Sequence, residues 1–262
     1  MIQTGTLKKK TAWATQEVAY EMRYLDKSDL PSIMDLQSLI VSRLTRKDLL
    51  EAFPYEFMKV HINERGFIIG IFVDKELIAF RNVYFPGIDD QEWNLGYDIG
   101  LKQANDLGNI ANLQMICVHP DFRGNSLALR MNTKAIQRIK RLNRYTHLCA
   151  TVSPYNYWNV RILLNCGFII KELKYKYQDK LRYVLYQHLI KPFKGLWTQH
   201  TINKRLTDID SQMALIKEGF IGIRLNEIPG HIPQSIADNA NGFEVVYSKI
   251  NWDQGGVNQD CW

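Results

Sequence analysis

Pro120 stands at the end of an apolar run, Leu113, Met115, Ile116, Cys117 and Val118, and that placement limits how the surrounding chain can fold. Proline has no backbone N–H to give a sheet ladder, so a strand carrying this run must stop there. After the break at His119-Pro120-Asp121 the chain passes through Arg123-Gly124-Asn125-Ser126 and takes up a helical period. Met131, Ala135, Ile139 and Leu142 recur at steps of three and four, with Lys134, Arg138 and Arg141 on the other side. Residues 112–142 therefore read as strand, short loop and helix.

The first N–H groups of a helix have no partner inside it and carry the positive end of its dipole, so a small-residue loop feeding that turn suits a phosphate. Gly124 lets an anion approach the chain closely, and Ser126 offers a cap or a hydroxyl donor. A second strand pattern follows at residues 146–152, then Ser153-Pro154-Tyr155-Asn156 and a helical segment closed by Cys166-Gly167-Phe168. Gly167 fits the left-handed position after a helix, and Phe168 opens the next apolar strand.

In order and spacing these two segments resemble the GNAT superfamily of acyl-CoA-dependent N-acyltransferases. The family's donor-binding pattern, R/Q-x-x-G-x-G/A after a strand ending in Val-x-Pro, is matched by Arg123, Gly124, Asn125, Ser126, Leu127 and Ala128. Its second signature, an Asn followed at helical distance by Gly-Phe, resembles Asn156 with Gly167-Phe168. The resemblance spans roughly residues 20–190. It implies an α/β fold, a mixed, mostly antiparallel central sheet with helices on both faces, and acetyl-CoA or another acyl-CoA as co-substrate without a metal.

What the resemblance implies for single residues is specific. The diphosphate would rest on backbone amides from Gly124 to Ala128, just past Arg123. The pantetheine arm would follow the strand at Ile116 and Val118, in a gap beside the strand at residues 147–152, with Asn156 bonding the arm. An amide near Val118 would polarise the thioester carbonyl. The implied activity is transfer of an acetyl or other short acyl group to a primary amine of a small molecule by direct attack. Protein or peptide N-acetylation is one alternative, and a catalytically degenerate acyl-CoA-binding regulatory module is another.

The chain departs from the family pattern at three positions. Ser126 replaces the first Gly of the G-x-G/A end of the motif, which a phosphate loop tolerates if that residue keeps helical dihedrals. The tyrosine that reprotonates the CoA thiolate in many members falls on Leu163, which leaves Tyr155 and Tyr157 as the nearest donors in sequence, or solvent. Asn112 falls where histone-acetylating members carry a glutamate base; an asparagine cannot act as a base, and it either holds the water that does or satisfies the sheet edge. His119 has a suitable pKa for a base, but Val-His-Pro is a common family spelling of this loop, so it reads as a structural surface residue.

An amine acceptor must lose a proton before it attacks. The segment at residues 86–111 is long for a connection and rich in acids and aromatics, and long ordered loops tend to be functional. Asp98 is the first candidate base and Glu92 the second.

At 262 residues and 46% apolar composition the chain can bury a sizeable core. Residues 1–19 read as a loosely held arm and 20–190 as the acyltransferase-like domain. Residues 191–262 read as a helix plus β-hairpin extension docked on that core. Two helices are expected after Asp29, the second capped by Thr45, and Asp74-Lys75 is expected as a two-residue hairpin turn. No run approaches a membrane span, and the amino terminus lacks the apolar stretch of a secretory signal. Four cysteines without C-x-x-C spacing point to a reducing, cytoplasmic setting and no metal site. The net charge of +6 favours anions, which CoA phosphates satisfy; no nucleic-acid-binding motif stands out. The resemblance implies a small-molecule amine as the partner; no membrane is expected, nucleic acid is the lesser reading, and a homodimer is left open.

Overall fold

The computed structural model describes residues 1–11, 13–62, 64–193, 197–231 and 238–250. In chain order the elements are β1 (Gln3–Lys10), β2 (Thr15–Tyr24), α1 (Leu30–Ser42), α2 (Tyr55–His61), β3 (Gly66–Val73), β4 (Glu76–Tyr84) and α3 (Ala104–Gly108). Then come β5 (Ile110–Val118), α4 (Leu127–Arg141), β6 (His147–Val152), α5 (Tyr157–Asn165), β7 (Ile169–Lys176) and β8 (Lys180–His188). The last are β9 (Trp197–Arg205), α6 (Ile209–Lys217), β10 (Ile221–Glu227) and β11 (Phe243–Ile250). The tail at 251–262 with Cys261, and residues 232–237 of the extension, lie outside the described residues. The chain divides into two compact units, Met1–Pro86 with Ala111–Asn143, and Gly87–Ile110 with the chain from Arg144 onward.

In the first unit β1 to β5 pair in sequence order, every neighbour antiparallel. Adjacent β4 residues show what covers the sheet. Asn82 bonds His61 of α2, while Arg81 donates from Nε to Asn132 Oδ1 of α4 at 2.8 Å. Successive side chains on a strand point to opposite faces, so α2 and α4 lie on opposite faces of this sheet. The buried side of α4 carries Leu127, Met131, Ala135 and Ile139, all at most 2% exposed; Leu142 is half-exposed and only caps the helix. The turn at Asp74-Lys75 has φ of 49° and 68°, as a type I′ hairpin requires.

Two expectations fail in this unit. Residues 1–19 are not a loose arm: Gln3 to Lys10 pair residue by residue with Met22 to Thr15. The lysine run hides the alternation, of which only Leu7 is buried on β1, and lysines are a usual guard on an edge strand. The second helix does not start at Thr45. Arg46 and Asp48 engage each other in a short 3-10 turn, and α2 begins after Pro54, whose missing N–H suits a helix start.

The second unit orders its strands β6-β8-β7-β10-β11-β9, again antiparallel at each neighbour. The acidic insert proves to be structural. Leu95, Ile99, Leu101, Leu107 and Ile110 enter one core with Cys149, Ile169, Val184, Tyr186 and Ile221. Asn94, 0% exposed, staples the insert by donating to the Gly87 and Leu107 carbonyls and accepting from Gly96 N–H. Within this unit β10 of the extension pairs with β7. Tyr183 of β8 and Tyr247 of β11 both donate to Gln212 Oε1 of α6.

Candidate functional site

β5 and the turn after it carry most of the expected donor residues. Between the pairs Arg81↔Ile116 and Val83↔Leu113 two β5 residues, Gln114 and Met115, oppose the single β4 residue Asn82. That is a β-bulge, which bends the strand and re-aims its side chains. Residues paired across a ladder share a face, so Ile116 and Val118 fall on the α4 side, both half-buried. Asn112, opposite Tyr84 and 0% exposed, falls on the α2 side. His119 ends the strand and holds the turn: its Nδ1 accepts from Asp121 N–H at 3.3 Å, and its ring meets Phe122 edge-on.

Arg123, Gly124, Asn125, Ser126, Leu127 and Ala128 form one continuous turn into α4. Gly124 has φ of +91°. The first bond of the helix is Arg130 N–H to the Ser126 carbonyl at 3.0 Å, so the amides of Leu127, Ala128 and Leu129 have no acceptor within it. These are the groups an anion would meet.

Ser126 departs from the expectation of right-handed dihedrals. It is left-handed, φ 56° and ψ 25°, and makes no side-chain cap bond. That is the conformation glycine adopts freely and a Cβ disfavours by roughly 1–2 kcal/mol. Ser126→Gly is therefore expected to raise stability by up to about 1 kcal/mol, after glycine's own entropy is counted, read as a higher denaturant midpoint at unchanged slope.

The sequence reading missed what holds this turn. Asn125 Oδ1 accepts from Lys8 N–H and its Nδ2 donates to the Lys8 carbonyl, each at 2.8 Å, so one side chain pairs with β1 as a strand would. The same Nδ2 donates to the Phe122 carbonyl. A Cβ on Gly124 would lie 3.5 Å from Lys10 Nζ, which places that ammonium beside the turn. Lys9 Nζ sits 5.7 Å from the Phe122 ring centre. The only signal in the sequence was the run Lys8-Lys9-Lys10, without any hint of its destination.

The remaining candidates lie in the second unit. Asn156 caps α5, its Oδ1 accepting from Asn159 N–H at 3.4 Å, and Gly167 closes that helix at φ +93°. Tyr155 is half-buried, Tyr157 stacks on Phe243 at 4.4 Å, and Leu163 is 1% exposed on the inner side of α5. Glu92 is exposed in a turn. Asp98 holds two cations, with Lys176 Nζ at 2.6 Å and Lys174 Nζ at 3.0 Å. A carboxylate so engaged has its oxygens committed to the β7 lysines. The alternating Lys174, Tyr175, Lys176 thus turns its lysines to Asp98 and leaves Tyr175 exposed.

Burial governs the titrating groups nearby. The Cys117 thiol on β5 is pushed up to about 12, so it stays protonated and unreactive. Burial also drives His61 down to about 4, partly opposed by its bond to Asn82 and reinforced by Arg65. Among the described residues no group of three or more His, Cys, Asp or Glu side chains is placed to hold a metal.

No family model and no curated protein matches the chain. Solved structures do. One is the acetyltransferase of GNAT family from Streptococcus pneumoniae, 15% identical, covering 64% of this chain and 98% of its own, at a TM-score of 0.49. Another is the N-acetyltransferase from Staphylococcus aureus Mu50, 15% identical, covering 65% and 98%, at 0.47. A third is the ribosomal-protein-S18-alanine N-acetyltransferase from Escherichia coli, 13% identical, covering 64% and 91%, at 0.44. In fold, over about two thirds of its length, the chain is similar to these acetyltransferases, the first of them a GNAT enzyme.

Proposed function

We propose that the protein is an acyl-CoA-dependent N-acyltransferase that moves an acetyl or other short acyl group to the primary amine of a small molecule. The observation that carries this reading is the turn from Arg123 to Ala128. The residues matching the family's phosphate motif sit where a strand ends and a fifteen-residue helix begins. The motif's glycine position is left-handed even though serine occupies it. A diphosphate would meet the amides of Leu127 to Leu129, with Gly124 allowing close approach and the Lys10 ammonium beside it. The chemistry of this donor set fits a phosphate-bearing co-substrate.

Transfer by direct attack needs no protein nucleophile. What the chain has to supply is position, a polarising amide for the thioester carbonyl, and a route for the amine's proton. Ile116 and Val118 would line the arm's path along β5. Asn112 would hold a water as proton carrier, since Asp98 is tied to Lys174 and Lys176. With Leu163 in the usual tyrosine position, the thiolate would take its proton from solvent. The second reading, an acyl-CoA-binding regulatory module, draws on the same two positions, Leu163 and Asn112.

Calorimetric titration of the full chain with acetyl-CoA tests the donor site, followed by thiol release against a panel of amines and N-terminal peptides. Ser126→Glu places a carboxylate against the diphosphate and is expected to weaken acetyl-CoA binding on the order of 100-fold, about 2.8 kcal/mol. Unchanged affinity in a variant that still melts cooperatively would refute the donor site. Binding without thiol release on any acceptor would favour the module, and release on peptides alone would favour protein N-acetylation.

A further inference from the structure

On the face of the first unit's sheet under α2, four hydrogen-bonding residues are packed where a core face ordinarily carries apolar ones. His61, Asn82 and Asn112 are 0% exposed and Tyr84 is 3% exposed. Asn82 Nδ2 contacts His61 Nδ1 at 2.6 Å and Met58 Sδ at 3.5 Å. Both of those atoms accept, so the amide spends its two hydrogens there, and the single proton of a neutral imidazole lies on Nε2. Two atoms remain enclosed without a hydrogen-bond partner: His61 Nε2, a donor, and Asn82 Oδ1, an acceptor. A buried donor or acceptor left unsatisfied forfeits its hydration, a penalty that Phe and Leu at these positions would not carry.

The surroundings narrow what could satisfy them. The His61 ring stacks on Tyr84 at 4.2 Å and meets Phe57 edge-on at 4.2 Å, so the pair sits between aromatic walls that penalise charge. The Arg65 guanidinium lies 5.2 Å from the Tyr84 ring centre and opposes a cation. An anion would face the Asn82 carbonyl oxygen. What fits is an uncharged group offering one acceptor and one donor. Asn112, the residue placed above to carry the amine's proton, shares this face through its pairing with Tyr84. α2 has seven residues and no side-chain cap, and is held to this face by packing and by the His61–Asn82 bond.

We propose that His61 and Asn82 form the acceptor-binding pair of this enzyme, and that they recognise a carboxamide or hydroxyl carried next to the amine that is acylated. This rests on the acyltransferase reading and narrows it to a substrate class. His61 acts here as a neutral donor to the ligand, and the transferred group never touches it. Burial keeps the ring uncharged at neutral pH.

The test compares two amines of matched shape, glycinamide and isobutylamine, in acetyl-CoA thiol release by the full chain and by the double variant His61→Phe/Asn82→Leu. The native protein is expected to prefer glycinamide by roughly 10- to 100-fold in kcat/KM, because a site built to hydrogen-bond leaves its own groups unpaired with the apolar analogue. In the double variant the ratio should fall towards one, while acetyl-CoA affinity and melting temperature hold or rise. An equal ratio in both proteins, or a variant that melts many degrees lower, would overturn the proposal, the latter by showing a purely structural pair. If the native chain releases no thiol with any amine, the acyltransferase reading fails separately, and the pair is judged by binding. The His61 Nε2–H resonance in 15N-histidine-labelled protein should then shift saturably with glycinamide and not with isobutylamine. A resonance that neither moves means a trapped water fills the site, and the proposal falls.

Discussion

Replacing Gln212 by leucine is expected to lower the melting temperature of the full chain by roughly 10 °C or more. Gln212 is 0% exposed and is the meeting point of three elements. Its Oε1 accepts from Tyr183 of β8 and from Tyr247 of β11, and its Nε2 donates to the Leu206 carbonyl at 3.0 Å. Leucine would take the shared acceptor from both buried hydroxyls, only one of which can then donate to the other, and the donor from the Leu206 carbonyl. Each such group costs about 1–3 kcal/mol, so the loss is on the order of 3–6 kcal/mol even with some relaxation. For a chain of this size about 1 kcal/mol shifts the midpoint by roughly 2–4 °C. Both tyrosines titrate well above their ordinary range because burial disfavours the phenolate, so their O–H groups remain donors in search of an acceptor.

The comparison that isolates this cause is the triple variant Gln212→Leu/Tyr183→Phe/Tyr247→Phe. Removing donors and acceptor together should cost less than removing the acceptor alone, even though three positions have changed. If the single variant melts within about 2 °C of the native protein, or the triple variant is the less stable of the two, the network is not what ties β8, α6 and β11 together.

That network also shows where reading the sequence stops. Features set by a few neighbouring residues could be read from it: the left-handed pair Asp74-Lys75, the closure of α5 at Gly167, the strand stop at Pro120 and the apolar stripe of α4. Each depends on backbone sterics or on a helical period that the local residues dictate. Gln212 gave no such signal, because a glutamine at that helical position looks solvated unless the strands it meets are known.

The same limit applies at the candidate site. Gly124 and Ser126 are legible from the spacing of the loop, while the left-handed conformation of Ser126, one that glycine adopts freely, runs against its residue type. The clasp of Asn125 on Lys8 joins residues 117 positions apart, and nothing in the lysine run pointed to it. Asp98 was attractive as a base because it stands in a long acidic insert. Its two lysine partners come from a strand about 80 residues later, and a base is defined by such partners more than by its own identity. The insert looked like a functional loop because its five core residues are spaced by neither a helical nor a strand period.

Acidification should destabilise the protein before its carboxylates titrate. His61 is held at about 4 by burial, and so is His188, where burial is joined by repulsion from His147 and Lys191. In the unfolded chain both take up protons near the ordinary histidine value of about 6.5. Above that pH both states are neutral and the histidines cost nothing. As pH falls from about 6.5 towards 4 only the unfolded state gains protons, so stability drops through this window and levels off once the folded rings also protonate. For fully enclosed His61 the shift corresponds to about 3 kcal/mol. Half-buried His188 contributes less because solvent screens it. Asp26 and Glu64, held below the usual carboxylate range by Ser28 and Lys27 respectively, lose their share only at lower pH, below their unfolded values. Denaturant midpoints at pH 7.0, 5.5 and 4.5 should therefore fall steadily in the native protein. In His61→Phe/Asn82→Leu the loss of stability over the same range should be about 2.4 kcal/mol smaller, since one ring no longer takes up a proton on unfolding. Parallel pH profiles for the two proteins would mean that His61 is open to water in the folded state, and both its depressed titration and its enclosed, unpartnered Nε2 would have to be abandoned.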